Sequence, residues 1–350
     1  MKKAKILATL SMASVATILL AGCGSGGSSG PAVTELTPFT VVVGSPVPGL
    51  YSSDVYVADE MGFFKDEGLE VSVQYSQNTS TATQTVAAGQ GDVGGISYEG
   101  LIMSYAQGLP GKFVYQSFVK NLYFVAVPAE SDIKTAAQLA GKKIGVPGLA
   151  SGAVGFLGIM LKDAGLSGDS VTLVPVEPGS ATTAVQKGQV DALAYFTGGF
   201  APLPGLTLRQ LPVPGVAQVG NVGYFASDST ISKRGDALTR FLRAIAKATV
   251  FMQANPEATA DIYFKVNPDR AVMGKDAAVA ALTKTYLPFW ETEKPFGAFD
   301  PALKAYIQAF GAATKTDKLP SVEQLSDSRF ISSVNEFDVN KIKTASAPVR

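Results

Sequence analysis

The chain contains no histidine, and its only cysteine is Cys23. Together these absences exclude Ser-His-Asp and Cys-His nucleophilic catalysis, histidine metal sites, zinc clusters and structural disulfides. Carboxylate, lysine and tyrosine chemistry stays open. Charge of one sign is also missing, since 29 Lys plus Arg balance 29 Asp plus Glu. With no basic stripe interleaved with aromatics, nucleic acid is not an expected partner. The carboxylates are scattered without the spacing of a calcium loop, so neither a metal nor a cofactor is expected. Membrane-length apolar runs are lacking too. The mostly apolar stretch 6–20 follows Lys2, Lys3 and Lys5 and has the length and flank of a secretory signal, not of a span.

What is present describes a packed protein. Hydrophobic residues make up 46% and charged residues 17% of the 350 residues, with glycine and proline spread along the length. That length suggests two or three folding units, which can hold a cleft between them. The apolar stretch ends at Leu20-Ala21-Gly22-Cys23, where small residues admit a signal peptidase and the thiol follows at once. LAGC resembles the lipobox of bacterial lipoproteins. That resemblance implies a signal peptide at 1–22 and a lipid-anchored Cys23, multiply acylated because one chain anchors only marginally. The run GSGGSSG at 24–30 would act as a flexible tether within a linker reaching 37. The expectation is a soluble body held outside the cytoplasm on a lipid, on the periplasmic side or outer face of the membrane.

From Pro38 onward short β-rich runs alternate with helical ones. Residues 39–43 (FTVVV) read as a buried strand, 53–61 as a helix, 70–75 as a strand and 80–88 as a helix ending at Gly89. The same order returns with a strand at 143–146, a helix at 151–164, a strand at 171–176, a helix at 180–187 and a strand at 191–196. Each copy turns from helix to strand through Gly-Gln-x-Asp: GQGD ends at Asp92 and GQVD at Asp191. Glycine takes the left-handed cap and aspartate binds turn amides. The alternation predicts α/β architecture with a mostly parallel, helix-flanked sheet in each of two lobes. Extended runs at 122–128 and 221–227 read as two crossover strands forming a hinge. Lobe I then comprises 38–126 and, as a helical tail, 223–350; lobe II comprises 127–222. The tail helices are expected at 232–254, 256–264, 275–287 and 301–313, covering lobe I.

The stretch 57–71, VADEMGFFKDEGLEV, resembles the A-x-E-x-G-[FY]-F-x-x-x-G-L-x-V signature of the solute-binding proteins of ABC importers in the nitrate, sulfonate, taurine and thiamine-pyrimidine-precursor family. Residues 137–146, AQLAGKKIGV, resemble that family's A-x-L-x-G-K-x-I-G-V entry to the second lobe. The resemblance covers most of the chain from Cys23 to about Ala313. It implies the two-lobed periplasmic-binding-protein fold (type II), a small-molecule solute held between the lobes, and the permease subunits of an ABC transporter as partners. In physical terms the 57–71 stretch is a helix, a glycine stop, a Phe-Phe packing pair and a strand, which makes it structural.

In open α/β sheets ligands lie outside the carboxyl ends of strands, facing helix starts. In lobe I that selects the loop 44–51, with Ser45 and Tyr51, and the turn after the Asp92 strand, with Ser97 and Tyr98. Each serine can equally be an N-cap. Glu99 could meet a ligand amine, but its place in the first helical turn favours a helix-dipole role. In lobe II the Gly-rich loop 147–153 opens a helix at Ser151 and Gly152, whose amides can hold an anion without arginine. Tyr195 and Thr197 end the repeated strand, Phe196 being assigned to the core. Asn121 and Tyr123 can reach the cleft from the hinge, whereas Lys120 and Trp290 read as surface and packing residues. Tyrosines, serines and amides suit a small planar or weakly charged organic solute: a sulfonate, a carboxylate or a heterocycle such as a pyrimidine or vitamin precursor.

Two further functions stand beside transport. One is an extracytoplasmic sensor presenting its ligand-bound form to a receptor. The other is an enzyme, because relatives with this fold include a pyridoxal-phosphate-using pyrimidine synthase. The resemblance implies an active-site histidine for that enzyme, and this chain has none.

Overall fold

The computed structural model describes residues 35–346 apart from 46, 78, 150 and 199–203. The chain divides into a short unit, Met1–Glu35, and a compact unit, Leu36–Arg350, which carries every element below. Cys23, the signal segment and the tether lie outside the described residues. Among the described residues no helix is long and apolar enough to cross a membrane.

The apolar run at 39–43 forms β1 (Thr37–Val43), flanked by β2 (Leu69–Tyr75) and β3 (Val93–Ser97), both parallel to it. A strand with a neighbour on each side and helices over its faces is apolar throughout, and Val41, Val42 and Val43 are all buried. β4 (Lys112–Gln116) forms the edge, and a strand from much later in the chain, β10 (Val222–Ala226), runs antiparallel between β3 and β4. The order is β2-β1-β3-β10-β4. The second sheet repeats the plan as β7-β6-β8-β5-β9, with β5 (Tyr123–Pro128), β6 (Lys143–Val146), β7 (Thr172–Pro175), β8 (Ala192–Phe196) and β9 (Leu208–Gln210). Here β6, β7 and β8 are parallel and β5 is antiparallel to β8 and β9. Each sheet is therefore mixed but mostly parallel, as the alternation of elements predicts: four of its five strands run one way and one runs against them. β5 and β10 enter from the other half of the chain and run against the strand they meet.

The connecting helices are α1 (Ser53–Glu60), α2 (Phe63–Asp66), α3 (Thr79–Ala87), α4 (Tyr98–Ala106), α5 (Gly152–Asp163) and α6 (Ala181–Gln186). The twice-written Gly-Gln-x-Asp has one physical role in both sheets. Gly89 (φ 74°) and Gly188 (φ 65°) leave their helices in the left-handed conformation. Asp92 then donates its backbone N–H to the Thr40 carbonyl at 2.9 Å and accepts the Thr40 N–H on Oδ2 at 2.7 Å. Asp191 does the same with Lys143, at 2.8 Å in each direction. The aspartate clips the third strand of each unit to the first.

The 57–71 stretch is structural, as its pattern predicts. The Phe64 ring stacks on Phe241 at 5.3 Å and Phe63 meets Phe251 edge-on. Both partners lie on α8 (Gly235–Ala254), which follows α7 (Asp228–Lys233). Glu67 is ion-paired with Arg243 at 2.9 Å and Lys247 at 2.6 Å of the same helix. The expected helix at 232–254 breaks at Arg234, whose guanidinium turns aside to Asp92. α9 (Pro256–Val266) joins α8 over the first sheet, and α10 (Lys275–Ala281) continues as a π-helical turn, Leu282–Tyr286.

The last long helix, α11 (Leu303–Thr314), departs from the expectation that the whole tail covers lobe I. It lies along α5 of the second half. The reason is steric: Gly155 and Gly158 leave a groove on α5 that Phe310 and Ala313 fill. One apolar cluster consequently runs from α4 through α5 to α11.

Candidate ligand-binding site

Three strand ends and one helix start converge where the chain crosses between the sheets. β3 ends at Ser97, which caps α4 by accepting the Gly100 N–H at 3.5 Å. β5 begins at Tyr123, paired with Phe196 of β8. α5 begins after its cap Ser151, which accepts the Ala153 N–H at 3.2 Å. The Tyr123 hydroxyl sits on this helix start, so close that a β-carbon at Gly152 would lie 2.5 Å from it. Burial pushes the Tyr123 phenol well up, the Glu99 carboxylate adds to the rise, and the Ser97 hydroxyl partly offsets both. Ser97 of the first sheet, Tyr123 of the crossover and Gly152 of the second half thus meet at one point.

Around this point the two crossovers are stitched together. Asn121 accepts the Tyr123 N–H at 2.9 Å, and its side-chain amide faces the Tyr306 hydroxyl of α11 at 3.4 Å. Thr197 donates its hydroxyl to the Leu122 carbonyl at 3.3 Å. Asn221, fully buried ahead of β10, accepts the Leu122 N–H at 2.8 Å. Its amide donates to both oxygens of Glu99, at 3.0 and 3.1 Å. Tyr306 donates its hydroxyl to Glu99 as well. Glu99 is 1% exposed, and burial raises its carboxyl above the ordinary range against the opposing pull of these donors.

The loop after β1 contributes a second pair. The Ser45 and Tyr51 hydroxyls are 2.5 Å apart and Ser45 also donates to the Val47 carbonyl at 2.8 Å. Tyr51 is half-buried, and its phenol is raised by burial. From the other side the Tyr286 hydroxyl reaches Gly198 at the end of β8, a second contact between the halves.

Of the residues expected to line a site, Ser97, Asn121, Tyr123, Ser151, Gly152 and Thr197 come together at the crossing, and Ser45 and Tyr51 at the neighbouring strand end. Tyr98 and Tyr195 go elsewhere. Tyr98 is fully buried, its ring 4.3 Å from that of Phe113 and its hydroxyl donated to Gln116 at 2.8 Å, so it belongs to the core. Tyr195 points into a small satellite core and donates to the Val176 carbonyl at 2.7 Å. Lys120 is exposed, and Trp290 packs edge-on against Phe118. Glu99 exceeds the helix-dipole role expected of it, because it gathers donors from two distant parts of the chain. Asn221 and Tyr306 were not expected. Asn221 stands at the edge of a strand that sequence reveals, whereas Tyr306 sits in an ordinary amphipathic helix and carries no local signal.

Two α/β units that exchange crossover strands, with strand ends and a helix start meeting at the crossing, define the solute-binding fold of periplasmic binding proteins. The aliphatic sulphonate binding protein SsuA of Escherichia coli has this fold, with a TM-score of 0.65 at 20% identity over 82% of this chain and 91% of its own. Residues 50–259 match the NMT1/THI5-like family, and the chain belongs to it. A formylaminopyrimidine-binding protein of Halalkalibacterium halodurans is 27% identical over 280 residues, 77% of this chain and 81% of its own length. A 4-amino-5-hydroxymethyl-2-methylpyrimidine phosphate synthase of Aspergillus parasiticus is 24% identical over 239 residues, 62% and 68% of the two chains. The relatives thus include one named as a binding protein and one named as a synthase.

Proposed function

We propose that this protein is the solute receptor of an ABC importer, lipid-anchored at Cys23 outside the cytoplasm, and that it closes its two halves on a small organic molecule and passes it to a permease. The observation that carries this reading is the meeting of Ser97, Tyr123 and the α5 start from opposite sheets. Groups brought together only when the halves approach supply the differential affinity that a solute needs to shift the closure equilibrium. A sensor that shows the same closed form to a receptor differs only in its partner. The synthase reading is weaker, because the chain lacks any histidine for acid-base work.

Within the solute classes open to such a site, a neutral or donor-bearing heterocycle fits better than a sulfonate. The α5 start offers amides to an anion. Glu99, however, is a buried carboxylate acting on Tyr123 beside it, and Lys120 is turned to solvent. An anion would meet like charge in a medium that screens it poorly. A thermal-shift screen of the full chain with aminopyrimidines, flavins, taurine, ethanesulfonate, nitrate and aromatic carboxylates tests both statements. A solute at a hundred times its dissociation constant adds about 2.7 kcal/mol. A shift with an aminopyrimidine or flavin alone supports the heterocycle, a shift with ethanesulfonate overturns it, and no shift with any of them counts against solute binding itself.

A further inference from the structure

α11 is attached to both halves of the molecule, in different ways. Along its length it is keyed into the second half, with the Phe310 ring 2.0 Å from where a Gly155 β-carbon would stand and Ala313 at 3.0 Å from the equivalent point on Gly158. At its start it is tied to the first half, where the Asp300 N–H donates to Gln116 at 2.9 Å and the Tyr306 hydroxyl donates to Glu99. Glu99 belongs to the first turn of α4, directly after β3. The crossovers bond mainly to each other: Ser117 and Phe118 donate to the Val222 carbonyl at 2.9 and 3.1 Å, and Leu122 donates to Asn221. Such bonds join segments that turn together about the hinge. The Tyr306–Glu99 bond joins a helix carried by the second half to a helix carried by the first.

We propose that the Tyr306–Glu99 hydrogen bond is a latch for the closed arrangement of the two halves, with Asn121 and Asn221 as positioning residues that aim its two ends. The proposal rests on the closing-receptor reading and adds to it the group that sets the closure equilibrium. Rotation of the second half moves α5, and with it α11, away from α4, so Tyr306 leaves Glu99 and keeps only the weaker contact with Asn121. Glu99 keeps Asn221, which is fixed to the first half through its carbonyl, the acceptor of the Tyr98 N–H at 2.8 Å. Opening therefore breaks this charge-assisted bond, together with the Asp300–Gln116 bond at the start of α11, and lets water replace them. Because the bond forms only in the closed state, its strength adds directly to closure and hence to solute affinity.

The test is a spin-label distance measurement on the full chain carrying Cys23→Ser, Lys65→Cys and Lys187→Cys, whose labels sit on exposed positions of the two halves. The parent should show both a short and a long distance without any solute. Tyr306→Phe should raise the ratio of long to short distances about tenfold, the effect of losing a hydrogen bond to a charged group, and Glu99→Gln should move it the same way by less. Tyr98→Phe removes an equally buried hydroxyl outside the latch and should lower the melting temperature without moving the distances. Superimposable distributions for Tyr306→Phe and the parent overturn the latch, as does an equal change in Tyr98→Phe. Should Tyr306→Phe fail to fold by circular dichroism, Glu99→Gln decides by the same criterion. These distances need no ligand, so a solute screen without hits refutes the receptor while leaving the latch measurable, and unchanged distances refute the latch whatever the screen finds.

Discussion

Asp54 stands in the first turn of α1, just beyond the loop that carries Ser45 and Tyr51, and is 4% exposed. The Tyr224 hydroxyl donates to it at 2.9 Å and the Val55 N–H at 3.1 Å. Trp290 faces the same carboxylate, but its Nε1 meets no acceptor at hydrogen-bonding geometry. Burial, only partly offset by these donors, pushes the Asp54 carboxyl up to about 6. A folded-state value above the unfolded one makes its contribution to stability complete below about pH 4 and lost as pH rises through 6. The difference between those limits is about 3 kcal/mol. Because Trp290 is the only tryptophan, intrinsic fluorescence reads this one titration. We expect a midpoint near pH 6 in the wild type, no such step in Asp54→Asn, and higher stability of that variant than of the wild type in urea at pH 7.5. A titration surviving in Asp54→Asn would contradict the assignment. Trp290 was read from sequence as a packing residue and is one. That its neighbour is a buried carboxylate could not be read, because 236 positions separate the two in the chain.

Elements were the most legible scale. Strand and helix positions follow from periodicity and glycine stops, both of which act over a few residues, and most predicted boundaries fall within a residue or two of the observed ones. The repeated Gly-Gln-x-Asp was legible as a turn that binds backbone amides, though not that the amide comes from Thr40 or Lys143 on a parallel strand. Less legible was the side on which a helix docks. Nothing in the amphipathic pattern of α11 distinguishes the first sheet from the second. The deciding feature lies on its partner, in the bare backbone at Gly155. Gly155→Ala places a methyl group against the Phe310 ring and should cost about 1–3 kcal/mol in chemical denaturation. Gly155→Ala combined with Phe310→Leu should recover part of the loss, a coupling absent if α11 docks elsewhere.

At the scale of the whole molecule, two mixed sheets share strands across a hinge, and closure is the motion such a connection permits. A solute that passes the thermal-shift screen should reduce the radius of gyration in small-angle scattering. Identical profiles with and without a saturating solute would remove closure from the account. By itself the sequence determined the alternation of elements, the two crossovers, the strand ends available to a ligand, and, through the missing histidines and the single cysteine, the chemistries that are excluded. All of these depend on residue type or on spacing within a few turns of chain. Only the tertiary structure decided which of these residues meet at the candidate site. Tyr98, at the start of α4, and Tyr195, on β8, were withdrawn into cores, and Glu99 was completed by Asn221 and Tyr306, 122 and 207 positions away. Pairings of that kind are set by sheet order and helix docking, which no local pattern encodes.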